Sequence, residues 1–371
     1  MLTRLFVDNY KCFENFEFQP AAFNLILGAN GSGKSTLFEV IHALVRHIGG
    51  RGALEALFPQ EDVTRDRSSD VRQRFELGLR IGDESYDYSL VLAHDRRGHA
   101  RILEEIVHVD GKPLLVFKGE EVLIRDADSI EFRYPFAGGQ SPLAALPAMA
   151  SRRLARFAEE IRGLWVIRPV PQKMSAVTRN EAYAWLESDL SNFTGWFTDL
   201  LLEKPKVVSR IVKSLRPVLD GFTGFTVSRE TARTRTLRLL FRTRHRASDE
   251  PPTFAFDEIS DGQRMLVALY TLLHHVVRQG KTLCIDEPDN FVALPEIQPW
   301  LDELRDTAEE TGAQILMISH HPRVANLLAS KHGVWFERHG ARATATTRVA
   351  IRPGDDGIPV AELLSRGWLG E

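Results

Sequence analysis

The stretch Gly28-Ala29-Asn30-Gly31-Ser32-Gly33-Lys34-Ser35-Thr36 constrains this chain more than any other part of it. It follows a short apolar run, Phe23 to Leu27, and opens a segment with apolar residues at Leu37, Val40, Ile41 and Leu44. An apolar run ended by glycine reads as a buried strand, and the three-and-four spacing after it reads as an amphipathic helix. Strand, glycine-rich loop, helix is the setting in which G-x-x-x-x-G-K-[ST] cradles phosphate. Small residues permit the tight turns, and successive backbone N–H groups wrap the anion. Lys34 then reaches the β- and γ-phosphates, and the Ser35 hydroxyl ligates Mg²⁺. Gly28 through Thr36 are the expected nucleotide contacts.

Three further stretches carry chemistry. Leu283-Cys284-Ile285-Asp286-Glu287-Pro288 is an apolar strand that delivers Asp286 to its end, where a carboxylate can hold Mg²⁺ through water. Glu287 is then in place to orient or deprotonate an attacking water. Ile259-Ser260-Asp261-Gly262-Gln263-Arg264 opens a helix marked by Met265, Leu269, Leu272 and Val276, with Ser260 as its N-cap. Such a helix start offers N–H groups to an anion, and it reads equally as a well-capped core helix. Ile315 to Ile318, followed by Ser319-His320-His321-Pro322, places His320 at the C-terminal end of a buried strand. Ligands bind at that edge in open α/β sheets, so His320 can bond a γ-phosphate. His321 is read as a bystander. The adjacent histidines lack a third ligand at suitable spacing, which sets zinc aside.

Between these motifs the texture changes. Phe75, Leu77, Leu79 and Ile81 alternate with polar residues, as do Tyr86, Tyr88, Leu90 and Leu92, and Gly82-Asp83 and Asp110-Gly111 mark hairpins. Residues 48–140 therefore read as an antiparallel meander. Residues 143–163 and 181–220 read as helical, 164–167 and 225–246 as strand, and 247–252 as a polar linker. The expected organisation is an α/β core split by an insertion. Residues 1–48 and 251–371 form the two parts of the core, and 49–250 form an inserted β-meander and helical lobe. With 371 residues, 43% hydrophobic and 26% charged, the chain has the composition of a globular protein. Its net charge of -3 gives no global field for nucleic acid, and its two cysteines fit a reducing cytoplasm rather than a disulfide framework. No run of about 18 apolar residues calls for a membrane.

Taken together, GANGSGKS, ISDGQR, LCIDEP and ISHHP resemble the Walker A, signature, Walker B and switch-histidine motifs of the ABC-type ATPase heads of the SMC, RecF and OLD group. The opening NYKCF resembles the short N-terminal strand-turn of these heads, and the meander after the P-loop, the WVIRPVP segment and the GWLGE ending resemble the compact members without long coiled coils. The resemblance implies a P-loop NTPase fold that binds ATP and Mg²⁺ and closes as a head-to-tail homodimer. Ser260 and Gly262 of one subunit would then touch the γ-phosphate held by Lys34 of the other. Glu287, His320 and Lys34 would be catalytic, and Ser35 and Asp286 would hold the metal. Gln172, after a strand and two prolines, is nominated as the glutamine that also reaches Mg²⁺, beside its plain reading as a polar loop residue. Two departures stand out. Asp261 replaces the first glycine of the usual signature pair, which brings a negative charge toward a phosphate. The stretch Asp289-Asn290-Phe291-Val292-Ala293 lacks the histidine common in the relatives' dimer-contacting loop.

Seven arginines and one acid lie between Arg229 and Arg246. Strand periodicity sets Leu237, Leu239 and Phe241 on one face and Arg238, Arg242, Arg244 and Arg246 on the other, a stripe that can track duplex DNA or meet an acidic protein. Arg152, Arg153, Arg156 and Arg162 add to the DNA side. The expected function is an ATPase of DNA repair or antiphage defence working with a separate effector. A separately encoded nuclease is one such effector, since only about 50 residues follow His320 without a nuclease's carboxylate cluster. The alternative is an ATP-regulated assembly module acting on a protein partner without DNA. A transporter's ATP-binding subunit is excluded, because Ser260 lies 226 residues beyond Lys34 (260 − 34) and the insertion is a β-meander.

Overall fold

A computed structural model describes residues 1–64, 72–95, 97–125, 131–146, 151–179, 181–242, 252–338 and 344–348, together with Glu362. The chain is a mixed α/β protein in two compact units, one built from residues 1–165 and 320–371 and the other from 166–319.

The first unit carries an eight-stranded antiparallel sheet. Its order is Phe16–Phe18, Leu2–Asp8, Arg72–Ile81, Glu84–His94, Ala100–Val109, Lys112–Phe117, Glu121–Arg125 and Glu131–Pro135. Alternation builds this sheet: Phe75, Leu77, Leu79, Tyr86, Tyr88, Leu90 and Leu92 are all buried. The two-residue turns form where the sequence places them. Asp110 and Gly111 both have positive φ, 48° and 75°, as a primed hairpin turn requires, and Gly82 has φ 62°. The same unit holds the strand Phe23–Gly28, buried along its apolar length and paired in parallel with Gly333–Arg338. The helix Lys34–Ile48 follows at once. At the far end of that helix a polar cluster is sealed in the core. His47 Nε2 lies 3.1 Å from Glu105, and Tyr88 and Ser141 donate to the other carboxylate oxygen at 3.2 and 2.5 Å. With every member partnered, the cluster fixes helix against sheet without an orphaned charge.

In the second unit, Thr282–Asp286 and Ile315–Ile318 are parallel neighbours, every residue of both buried. The helices Asp261–His275 and Leu294–Thr311 belong to the same unit. Two shorter helices, Phe193–Glu203 and Pro205–Leu215, break where Lys204-Pro205 interrupts the pattern. The strands Phe222–Arg229 and Thr234–Phe241 pair antiparallel, with Val177–Arg179 and Thr253–Ala255 added one after the other along the remaining edge of the latter. Phe197 and Phe256 each stack on Phe193 in the core, and the half-buried Phe225 meets Phe197 edge to face.

Candidate functional site

The glycine-rich loop owes its shape to contacts that side chains would block. Gly28 has φ 146°, and a Cβ there would lie 2.3 Å from the Phe336 carbonyl oxygen. Gly31 and Gly33 have φ 78° and 98°, left-handed values that a side chain resists. The Lys34 ammonium lies back over the loop and donates to the carbonyls of Gly28 and Ala29 at 2.8 Å each. Gly33 is the N-cap of the helix Lys34–Ile48, and no side chain caps that end. A helix start with no side-chain cap, beside a buried lysine, has the backbone arrangement that suits an anion. Thr36, in the first turn, is approached by Cys12, whose Sγ lies 3.8 Å from the Thr36 hydroxyl.

In the second unit, Asp286 ends its strand with only 6% of its side chain exposed. Its carboxylate faces the Arg168 guanidinium at 3.5 Å, a partner that sequence reasoning missed because Arg168 sits in an unrelated Pro-flanked loop. Glu287 follows with φ 50°, and its backbone N–H donates to Ile318 O at 2.9 Å. The Asn290 side-chain amide donates to the Glu287 carboxylate at 2.5 Å, so Asn290 holds the side chain expected to handle water. Burial pushes the neighbouring Cys284 thiol up, which leaves it an inert core group.

The helix Asp261–His275 begins with the capping box that its sequence calls for. Ser260 Oγ accepts from Gln263 N at 3.2 Å, and the Gln263 side chain accepts from Ser260 N at 3.1 Å. Asp261 is half-buried and paired within its own chain: Arg264 pairs with it at 2.8 Å and the Gln172 amide donates to it at 2.6 Å. Arg264 also donates to Pro171 O at 2.9 Å, so the turn Pro171–Lys173 is tied to this helix start twice. Gly262 is close-packed, since a Cβ there would meet the Phe291 carbonyl oxygen at 2.6 Å.

His320 is exposed just beyond the strand Ile315–Ile318. His321 accepts from Arg323 N at 3.2 Å as the N-cap of the helix Pro322–His332, so it has a structural role rather than none. For Mg²⁺, the Ser35 hydroxyl, the Asp286 carboxylate and the Gln172 carboxamide are hard oxygen donors of the kind that ion takes, and the buried Asp286 already faces a cation. The arginines are less free than their count implies. Arg153 and Arg156 both pair with Glu84, Arg235 with Asp199, and Arg238 approaches Glu230 at 4.0 Å. Leu237 and Leu239 are buried as alternation requires and Arg242 is exposed, while Arg244 and Arg246 lie outside the described residues, as does the GWLGE ending.

Comparison with known proteins adds the family. The profile described as "AAA domain, putative AbiEii toxin, Type IV TA system" matches residues 23–326. The DNA replication and repair protein RecF of Salmonella newport (strain SL254) and that of Salmonella agona (strain SL483) are each 29% identical over 102 residues. That segment is 27% of this chain and 26% of theirs, so the chain matches about a quarter of the length of these curated relatives. The SMC head domain from Thermotoga maritima aligns over 94% of this chain and 99% of its own, with TM-score 0.49 and 13% identity. No described helix is long and apolar enough to cross a membrane. The chain belongs to this AAA-domain family.

Proposed function

We propose that the chain hydrolyses ATP with Mg²⁺ and closes as a head-to-tail homodimer around the nucleotide. In this reading it serves DNA repair or antiphage defence in the cytoplasm through a separately encoded effector, a nuclease being one kind. The observation that carries the reading is the loop Gly28–Ser35, where an uncapped helix start and the held Lys34 ammonium form a preorganised place for a triphosphate. Residues 1–48 and 251–371 supply the catalytic motifs of the core, and 49–250 the insertion.

In this mechanism the backbone N–H groups of the loop and Lys34 neutralise the phosphates. Ser35, Asp286 and Gln172 would hold Mg²⁺, which would supply further charge stabilisation at the phosphate oxygens. Glu287, held by Asn290, orients the attacking water and accepts its proton, and ADP and phosphate leave. His320 bonds the γ-phosphate and reports its presence. Ser260 and Gly262 of a second protomer complete the shell around the γ-phosphate, so closure requires the triphosphate and ends with hydrolysis. The stripe Arg238, Arg242, Arg244 and Arg246 is the DNA-facing element of this reading. The pairing of Arg153, Arg156, Arg235 and Arg238 with acids favours the second reading, in which ATP regulates assembly with a protein partner and DNA plays no part.

Substituting Glu287→Gln tests the dimer. With ATP and Mg²⁺ this variant is expected to run at twice the monomer mass in light scattering after gel filtration, while Lys34→Ala stays a monomer. An unchanged mass for Glu287→Gln with ATP would count against the sandwich.

A further inference from the structure

We infer that Asp261 is a positioning residue for Gln172, turning that side chain so that its carbonyl oxygen is free for a cation. The inference deepens the proposed function and rests on its reading of Gln172 as a Mg²⁺ ligand. It begins from chemistry. An aspartate carboxylate paired with a guanidinium accepts hydrogen bonds and donates none, so the edge of the Gln172 carboxamide that meets it at 2.6 Å must be the NH₂ edge. The carboxamide is planar, and its oxygen therefore points away from Asp261. A glutamine without such a partner can turn either edge of its carboxamide outward.

The surrounding contacts make this arrangement stiff. Asp261 is held from its other oxygen by Arg264 at 2.8 Å, and Arg264, whose side chain is 13% exposed, is itself anchored on Pro171 O at 2.9 Å. Pro171 is the residue before Gln172, so both the backbone and the tip of the glutamine are fixed to one helix start. The negative charge that Asp261 brings to the signature is thereby spent on Arg264 and Gln172 instead of facing a phosphate. The acid in place of the usual glycine then has a use: it orders a ligand to the metal.

The test is a Mg²⁺ titration of fluorescent ATP-analogue binding, read by anisotropy on the full chain. Asp261→Gly and Gln172→Ala are each expected to need about tenfold more Mg²⁺ for half-maximal binding, the usual scale for losing a partner that orients a ligand. The double variant should need no more than either single one, and analogue binding in EDTA should be unchanged in all three. The pair Gln172→Glu and Asp261→Asn supplies a second route that keeps an oxygen at residue 172. Gln172→Glu alone sets two carboxylates against each other and should raise the Mg²⁺ needed for half-maximal binding, and adding Asp261→Asn should lower it again, because the asparagine amide can donate to the new carboxylate. If Gln172→Ala shifts the titration and Asp261→Gly does not, the positioning role is overturned while Gln172 stays a ligand. If neither shifts it, Gln172 is not a ligand, and the inference falls with that reading.

Discussion

Two helices of this chain begin in opposite ways. The helix Lys34–Ile48 starts at a left-handed glycine without a side-chain cap, and the nearby lysine is parked on loop carbonyls. The helix Asp261–His275 starts with a complete capping box and an acid already paired with an arginine and an amide. A helix end must satisfy its N–H groups somehow, and the proposed function assigns an anion from outside to the first, while the second is largely satisfied from within. The difference is one of local partners: the first start has no side-chain cap, and the second has two side chains committed to its own end. The second can contribute to a phosphate only by sharing donors that its own side chains now use.

The two starts also differ in what their close-packed glycines tolerate. Gly28→Ala meets the Phe336 carbonyl at 2.3 Å and also forces a side chain into φ 146°, so it should abolish nucleotide binding in isothermal titration. Its thermal stability should fall by several kcal/mol, from about 1–3 kcal/mol of overpacking and a similar amount of backbone strain. Gly262→Ala meets the Phe291 carbonyl at 2.6 Å but needs no unusual φ. It should cost only the overpacking part, about 1–3 kcal/mol in chemical denaturation. Equal costs for the two would break the comparison.

Ser260→Ala removes one half of the capping box and should cost about 1 kcal/mol. That is a fall in Tm of about 2–4 °C by scanning calorimetry. Nucleotide affinity of the monomer should stay as it was, because the cap belongs to the internally satisfied helix.

The smallest effect lies at the other end of that same helix. Burial, reinforced by Arg278 and Arg210, pushes the His274 imidazole down to about 4, and burial with Lys204 does the same to His275. A histidine depressed in the folded chain is protonated first in the unfolded one. Its contribution is therefore complete above pH of about 6.5 and is lost as the pH falls from there toward 4. Denaturation midpoints should drop across that window, and His274→Gln should flatten the drop. An unchanged pH profile in that variant would show that His274 is not among the groups responsible.

The parts of the molecule that depend on neighbours in sequence were legible before the structure. The strand, loop and helix from Phe23 to Ile48 declare themselves by an apolar run, glycines and a 3.6-residue period, and Asp110-Gly111 declares a hairpin by its φ preferences. Ser260 and Gln263 announce a capping box in four residues. What could not be read are meetings between distant residues. Gln172 and Asp261 stand 89 positions apart, and nothing local to either foretells the bond. Arg168 on Asp286 is of the same kind. Asn290 was closer to hand: a carboxamide three residues after Glu287 in a tight turn is a usable signal, and the turn's positive φ at Glu287 and Phe291 makes the contact. Alternation found the buried leucines of Thr234–Phe241, but Arg235 shares their side of the strand, an exception to a simple two-face reading.

The most direct test of the account is steady-state phosphate release from ATP by the purified chain, with and without duplex DNA, using Lys34→Ala as the blank. The account predicts Mg²⁺-dependent turnover that falls about a hundredfold or more in the variant, the scale for losing one preorganised charge partner of the transferring group. Stimulation by DNA would select the arginine-stripe reading over the protein-partner one. Phosphate release that is absent, or equal in wild type and Lys34→Ala, would contradict the claim that the loop Gly28–Ser35 is the seat of catalysis.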